Sequence, residues 1–125
     1  MCLWLSTSET EKLRKSQENK LVAYKWLRVE SDRTCYAPYM GTEYKRGVIE
    51  SDRKQKTLTK LEQITGEIHN GIHVFLDLES ADVSEWGEVV NNKLFRVYVD
   101  LEDLVGVGTR GDAVFTKVVF NGEMV

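Results

Sequence analysis

Aromatic and basic residues are interleaved through the first half of the sequence, and together they could bind a planar anion. Aromatic faces stack on bases, and guanidinium groups hold phosphates through two parallel hydrogen bonds. The same residue types anchor protein interfaces and complete small cores, so a partner surface and ordinary packing are the alternatives. The set comprises Tyr24, Trp26, Arg28, Arg33, Tyr36, Tyr39, Tyr44, Lys45 and Arg46.

A histidine in an apolar run is the second feature that could do chemistry. His73 lies in the run Gly71-Ile72-His73-Val74-Phe75, and Ser80 follows as the expected N-cap of a short helix whose amide end could meet an anion. No nucleophile stands at a motif distance from this histidine, so we assign no catalytic residue. The predicted ligand-binding residues are Trp26, Arg28, Tyr36, Arg46, His73 and Arg110.

Metal and phosphate-loop motifs are not found in the sequence. The two cysteines and two histidines do not have the spacing of a zinc site. The acidic run at 100–103 is typical of a solvated turn, and the glycine-rich stretch 106–111 lacks the lysine of a phosphate-binding loop. We therefore predict neither a metal nor a cofactor.

Charge is distributed unevenly along the chain. The net charge is -3, from 17 basic and 20 acidic side chains. Residues 1–62 hold 13 basic and 9 acidic residues, whereas residues 63–125 hold 4 and 11. The acidic total argues against general nucleic-acid binding, which needs clustered positive charge. The basic first half is consistent with an anionic small molecule or a protein partner.

The elements that must position these residues are mainly strands. Residues 21–29 alternate, with Val22, Tyr24 and Trp26 on one face and Ala23 and Leu27 on the other. Further strands are predicted at 44–49, 72–78, 91–100 and 113–120, and a short helix is predicted over 80–86. This pattern predicts a single α+β domain with a mainly antiparallel sheet and one or two short helices.

The first twenty residues differ from the rest of the chain. Residues 1–20 are predicted to form a polar helical leader, with a helix over 9–19, ahead of an α+β domain at 21–125. Leu3, Trp4, Leu5 and Leu13 could dock on a partner subunit, which would make the protein an oligomer. The segment has neither the charge pattern of a signal peptide nor a membrane-spanning apolar run, and cysteines are few, so we expect a cytoplasmic protein.

The order of elements resembles the ADP-ribosyltransferase superfamily. An early strand with aromatic and basic residues, a Gly-x-His strand, a short helix and two late strands carry the likeness, over about residues 22–120. The resemblance implies transfer of ADP-ribose from NAD, with Arg28 or Lys25 as the early basic residue. Ser80 would be the middle element and Glu102 or Glu123 the late acid. Within residues 22–120, which carry the likeness, no Ser-Thr-Ser strand or Glu-x-Glu motif of that superfamily occurs, which favours binding over catalysis.

A second resemblance is to small proteins of phages and prophages. The runs YAPYMGTEYKRGVIESDR, GIHVFLDLESA and GDAVFTKVVF are similar to an extended early segment, a middle strand and a closing strand of such proteins. Many small phage proteins inhibit host defence, some by sequestering nucleotide signals.

Three functions remain open at this level. The leading hypothesis is a non-enzymatic binding protein, encoded by a phage or mobile element, that captures a nucleotide-like molecule or a host protein. An ADP-ribosyltransferase-like enzyme, with His73 and Glu102 or Glu123 in its site, is the first alternative. The second is a structural or assembly protein that acts by oligomerisation.

Overall fold

The computed structural model describes residues 3–38 and 41–125. Tyr39, one of the predicted aromatic residues, lies outside these ranges. Three α-helices are present in the described residues, α1 (Thr7–Arg14), α2 (Lys60–Thr65) and α3 (Leu78–Asp82), together with short 3-10 helices at Glu85–Glu88 and Leu101–Asp103. The strands are β1 (Leu3–Trp4), β2 (Lys20–Val29), β3 (Cys35–Tyr36), β4 (Glu43–Tyr44), β5 (Gly47–Glu50), β6 (Glu67–Ile68), β7 (Ile72–Phe75), β8 (Asn92–Asp100), β9 (Leu104–Val107), β10 (Asp112–Phe115) and β11 (Lys117–Met124).

One antiparallel sheet organises the domain. Its strand order is β5-β11-β8-β2-β7-β10-β9, with β3 added to β2 and β4 added to β3. β1 and β6 form a separate two-stranded sheet. The predicted α+β class, as one small domain with a mainly antiparallel sheet, is confirmed.

The long central strands follow the alternation in their sequences. β2 pairs with β8 along its length, from Lys20 opposite Asp100 to Arg28 opposite Asn92. Ala23 and Leu27 on one face of β2 are fully buried. Because successive side chains of a strand point to opposite faces, Lys25 shares the face of these two core residues.

The segment after β7 departs from its prediction. The strand predicted over 72–78 ends at Phe75, and α3 begins at Leu78. The Asp77 side chain caps this helix by accepting a hydrogen bond from the Ser80 amide at 2.7 Å. Ser80 is therefore not the N-cap, because an equally good capping residue precedes it in the chain.

The N-terminal segment packs on the body of the domain. Its helix covers Thr7–Arg14, which is shorter than predicted, and Leu3 is fully buried. The Thr10 hydroxyl accepts a hydrogen bond from the Val107 amide at 2.9 Å. Arg14 donates to the carbonyls of Leu104 and Val105. α1 thus lies along β9, at one edge of the sheet.

Two clusters of apolar side chains form the core. The larger one surrounds Phe115, Leu27 and Val97, and the smaller one joins Leu3 to Val114. Among the described residues, no helix is long and apolar enough to cross a membrane.

Candidate functional site

A cleft opens where β2 and β7 separate. The two strands pair at one position, Tyr24 opposite Phe75, while β2 continues beside β8 as far as Arg28. Side chains of both strands, of β4 and of the segment 49–55 line a cleft of about 640 Å³. This volume is within the range of small-molecule sites.

Lys25 is a half-buried lysine of the cleft, with its amine shielded from solvent. Its Nζ donates a hydrogen bond to the His73 carbonyl at 2.7 Å and lies 5.9 Å from the centre of the Tyr44 ring. No ion pair in the described residues includes this lysine. Burial lowers the pKa of the Lys25 amine from 10.5 to about 8. An ammonium group has three N–H donors, so this one retains donors for a ligand.

His73 is a neutral neighbour of this amine. Its Nε2 lies 3.3 Å from the Ile68 carbonyl, and because a carbonyl only accepts, Nε2 carries the proton. Burial lowers the pKa of the imidazole to about 4, while the Ile68 hydrogen bond opposes that shift. The histidine therefore adds no positive charge to the cleft at neutral pH.

Aromatic side chains supply much of the apolar lining. Trp26, Tyr44, Phe75 and Trp86 all contribute to it. Trp26 is held by a hydrogen bond from Nε1 to the Ala81 carbonyl at 2.9 Å. A Cβ atom at Gly87 would lie 2.9 Å from Cζ2 of this indole, so the missing side chain makes room for the ring. A cleft lined by planar faces and by one amine suits a ligand that combines an aromatic ring with an anionic group.

Arg53 fixes the segment that forms another wall. Its guanidinium binds both carboxylate oxygens of Glu62, at 2.6 and 2.9 Å. It also donates to the carbonyls of Gln55 and Thr57. The hydrogen bonds from Arg53 hold the pKa of the Glu62 carboxyl below its usual range. Since four of its five N–H donors are engaged within the protein and its charge is paired with Glu62, Arg53 shapes the cleft but is not its available cation.

The exposed part of the lining is mixed in charge. Glu50, Asp52 and Lys54 are exposed, and Lys54 lies 3.6 Å from the carboxylate of Glu50. Such exposed pairs are screened by solvent and add little attraction for an anion. The electrostatic preference of the cleft therefore depends mainly on Lys25.

Two of the six predicted ligand-binding residues line this cleft, namely Trp26 and His73. Arg28 instead lies 5.2 Å from the Tyr36 ring and forms an ion pair with Glu30 at 2.7 Å, outside the lining.

The other two predicted arginines lie elsewhere. Arg46 is exposed beside Gly122, and Arg110 is exposed in the turn between β9 and β10. Neither lines the cleft in the part of the chain that the structure describes.

The sequence reasoning missed Lys25 and Arg53 as parts of the candidate ligand-binding set. The position of Lys25 in the sequence could have indicated its role, because it lies between Ala23 and Leu27 on the apolar face of a predicted strand. A lysine in a core position is rare unless it has a specific role or partner. Arg53 lies in an irregular segment with no periodicity, so nothing in the sequence marks its pairing with Glu62.

The acidic residues implied by the transferase resemblance lie away from the cleft. Glu102 is exposed, and Glu123 accepts hydrogen bonds from the Tyr98 hydroxyl at 2.9 and 3.2 Å. Ser80 is in α3, close to Gly111. None of the three is among the described residues that line the cleft.

The residues described by the structure contain no group of three or more histidine, cysteine or acidic residues that could hold a metal ion. Comparison with known proteins found no match to a family model, to a curated protein or to a solved structure.

Proposed function

We propose that the protein binds a small, nucleotide-like anion in the cleft between β2 and β7. The observation that carries this proposal is the Lys25 amine, which is shielded from solvent, has no carboxylate partner among the described residues and lies 5.9 Å from the Tyr44 ring. Burying a cation without a counter-ion destabilises a protein, and a bound phosphate would supply the missing charge. Sequestration of a nucleotide signal, the role suggested by the resemblance to phage proteins, would need only such binding.

In this proposal, Lys25 and Trp26 would contact different parts of the ligand. One N–H of the Lys25 ammonium group donates to the backbone carbonyl of His73. The remaining N–H groups would donate to a phosphate oxygen of the ligand. Trp26, fixed by its bond to Ala81, would contact the face of a base. The position of the ring therefore depends on α3, and that of the phosphate depends on β2.

Calorimetry with AMP, ADP and adenosine tests the proposal. We expect AMP and ADP to bind more tightly than adenosine, because only they carry phosphate. Lys25→Met should weaken AMP binding about 10- to 100-fold, as expected for a hydrogen bond to a charged group. Adenosine binding should change little in this variant, whereas Trp26→Leu should weaken all three ligands.

Lys20→Met is the matched control, since Lys20 is an exposed lysine on the same strand. It should bind AMP as the unmodified protein does. Equal affinity for AMP and adenosine, or an AMP affinity that Lys25→Met leaves unchanged, would contradict the proposal. So would the absence of binding heat for all three compounds at high protein concentration.

A further inference from the structure

The Lys25 amine has surroundings that suit covalent capture as well as ion binding. It lines an open cleft, it forms one hydrogen bond, to a backbone carbonyl, and the Tyr44 ring lies 5.9 Å away. No carboxylate among the described residues holds it as an ammonium ion. These are the conditions under which a lysine acts as a nucleophile toward carbonyl compounds.

We propose that Lys25 forms a reversible imine with small aromatic aldehydes that enter the cleft. The proposal deepens the proposed function, since it uses the same cleft and names a second class of compound for it. The Tyr44 ring beside the amine, together with Trp26, Phe75 and Trp86 elsewhere in the lining, favours a planar ring on the aldehyde over an aliphatic chain.

The chemistry balances without a further reactant. The lone pair of Nζ attacks the aldehyde carbon, and the carbonyl oxygen takes up a proton to give a carbinolamine. The carbon–oxygen bond then breaks, and the two hydrogens lost by the neutral amine leave with that oxygen as water. The product has a carbon–nitrogen double bond to Lys25, and no group is oxidised or reduced.

Two features of the site support this step. Burial lowers the pKa of the amine to about 8, so that about a tenth of it is unprotonated at pH 7. An exposed lysine with an ordinary pKa is unprotonated at that pH to less than about one part in a thousand. The neighbouring His73 is neutral at pH 7, since burial lowers its pKa to about 4.

Borohydride trapping with pyridoxal 5′-phosphate as the aromatic aldehyde tests the proposal. The whole protein is incubated with a limiting amount of the aldehyde, the imine is reduced with sodium borohydride, and the label is located by peptide mass spectrometry. We expect one label per chain, with Lys25 labelled at least about 10-fold more than any other lysine. Succinic semialdehyde, which lacks a ring, should label Lys25 less.

The controls use the same pair of lysines as the calorimetry. Lys20→Met should be labelled at Lys25 as before, and Lys25→Met should lose the dominant label while keeping the near-ultraviolet circular dichroism of the folded protein. Label spread over the exposed lysines without preference for Lys25 would overturn the proposal. Equal labelling of Lys25 by the two aldehydes would overturn the aromatic preference.

The outcomes separate this proposal from the binding function. AMP binding that depends on Lys25, together with no preferred label, would remove the imine and leave the nucleotide site intact. A dominant label at Lys25 without any nucleotide heat would support the imine and remove the proposed nucleotide function.

Discussion

Replacing Lys25 with methionine should make the folded protein more stable at neutral pH, even though the change removes a hydrogen bond. Burial lowers the amine pKa from 10.5 to about 8, and this difference opposes folding by about 3 kcal/mol when the lysine is charged. The hydrogen bond to His73 and the contact with the Tyr44 ring return about 1 kcal/mol. Because methionine keeps an unbranched apolar chain, we expect a net gain of about 2 kcal/mol.

The sign of the pH dependence follows from the direction of the shift. The folded-state pKa of Lys25 is the lower one, so between about pH 8 and pH 10.5 the unfolded chain holds more protons than the folded one. The stability of the unmodified protein therefore rises as the pH increases from about 8 to 10.5. Below pH 8 the lysine is charged in both states, so the full free-energy cost of burying the charge opposes folding. The advantage of Lys25→Met should shrink by about 2 kcal/mol between pH 7 and about pH 10.

Urea denaturation at both pH values, followed by tryptophan fluorescence, measures these differences. Lys20→Met, which changes an exposed lysine, serves as control. Its free energy of unfolding should stay within about 0.5 kcal/mol of that of the unmodified protein. The reasoning fails if Lys25→Met is less stable than the unmodified protein at pH 7 while the control is unchanged. Such a result would mean that the contacts of the amine outweigh the cost of its burial.

Three further substitutions probe the cleft. Burial lowers the pKa of the His73 imidazole from 6.5 to about 4, so between these pH values the imidazole is protonated in the unfolded chain but not in the folded protein. This difference lowers the free energy of unfolding by up to about 3 kcal/mol as the pH falls from 6.5 to 4. His73→Gln removes the titrating group and should therefore make the protein more stable in acid. In Gly87→Ala, the new Cβ would lie 2.9 Å from the Trp26 ring, which should cost about 1–3 kcal/mol in urea denaturation and weaken AMP binding. In Arg53→Met, the Glu62 carboxylate loses its partner while it stays partly shielded from water, with its side chain 12% exposed. Thermal and urea unfolding should therefore show a loss of stability of about 1–3 kcal/mol.

Each of these substitutions has a matched comparison. His69→Gln changes an exposed histidine and should leave the acid transition unchanged; an equal effect of both variants would contradict the argument from burial. Adding Trp26→Phe to the Gly87→Ala variant removes the clashing ring atoms and should recover part of the stability. Adding Glu62→Gln to Arg53→Met removes the unpaired charge, and a double variant as unstable as the single one would argue against the ion pair as the cause.

The two longest strands could be predicted from sequence, whereas the pairings of the two-residue strands could not. The strand predicted over 113–120 is instead divided into β10 and β11, which are separated at Thr116. β2 and β8 alternate over enough residues to show a period of two, and the structure has both strands close to the predicted bounds. The pairs β1 with β6 and β3 with β4 have two residues per strand. Two residues show no period, so these pairings depend on tertiary contacts that a linear pattern does not contain.

Only part of the candidate site could be predicted from the sequence, for a related reason. Trp26 and His73 both line the cleft, although their role in binding stays a prediction. Arginines were favoured as the anion-binding groups because of their chemistry, but Arg28 is paired with Glu30. The cleft itself arises where β7 leaves β2 after one paired position. Pairing of this kind is a property of the folded sheet and has no signature in either strand alone.

The contacts between α1 and β9 make the two ends of the main strand order, β5 and β9, unlike. At β9, Ser6 and Thr10 bind the backbone of Val107, and Arg14 occupies the carbonyls of Leu104 and Val105. At β5, no described residue pairs with the outer side of the strand, and the Val48 side chain is 60% exposed. A foreign strand could therefore extend the sheet at β5 but not at β9. Two copies joined at β5 would have only the α1-covered β9 at each far end of the main strand order, so strand addition along that order would stop at a pair.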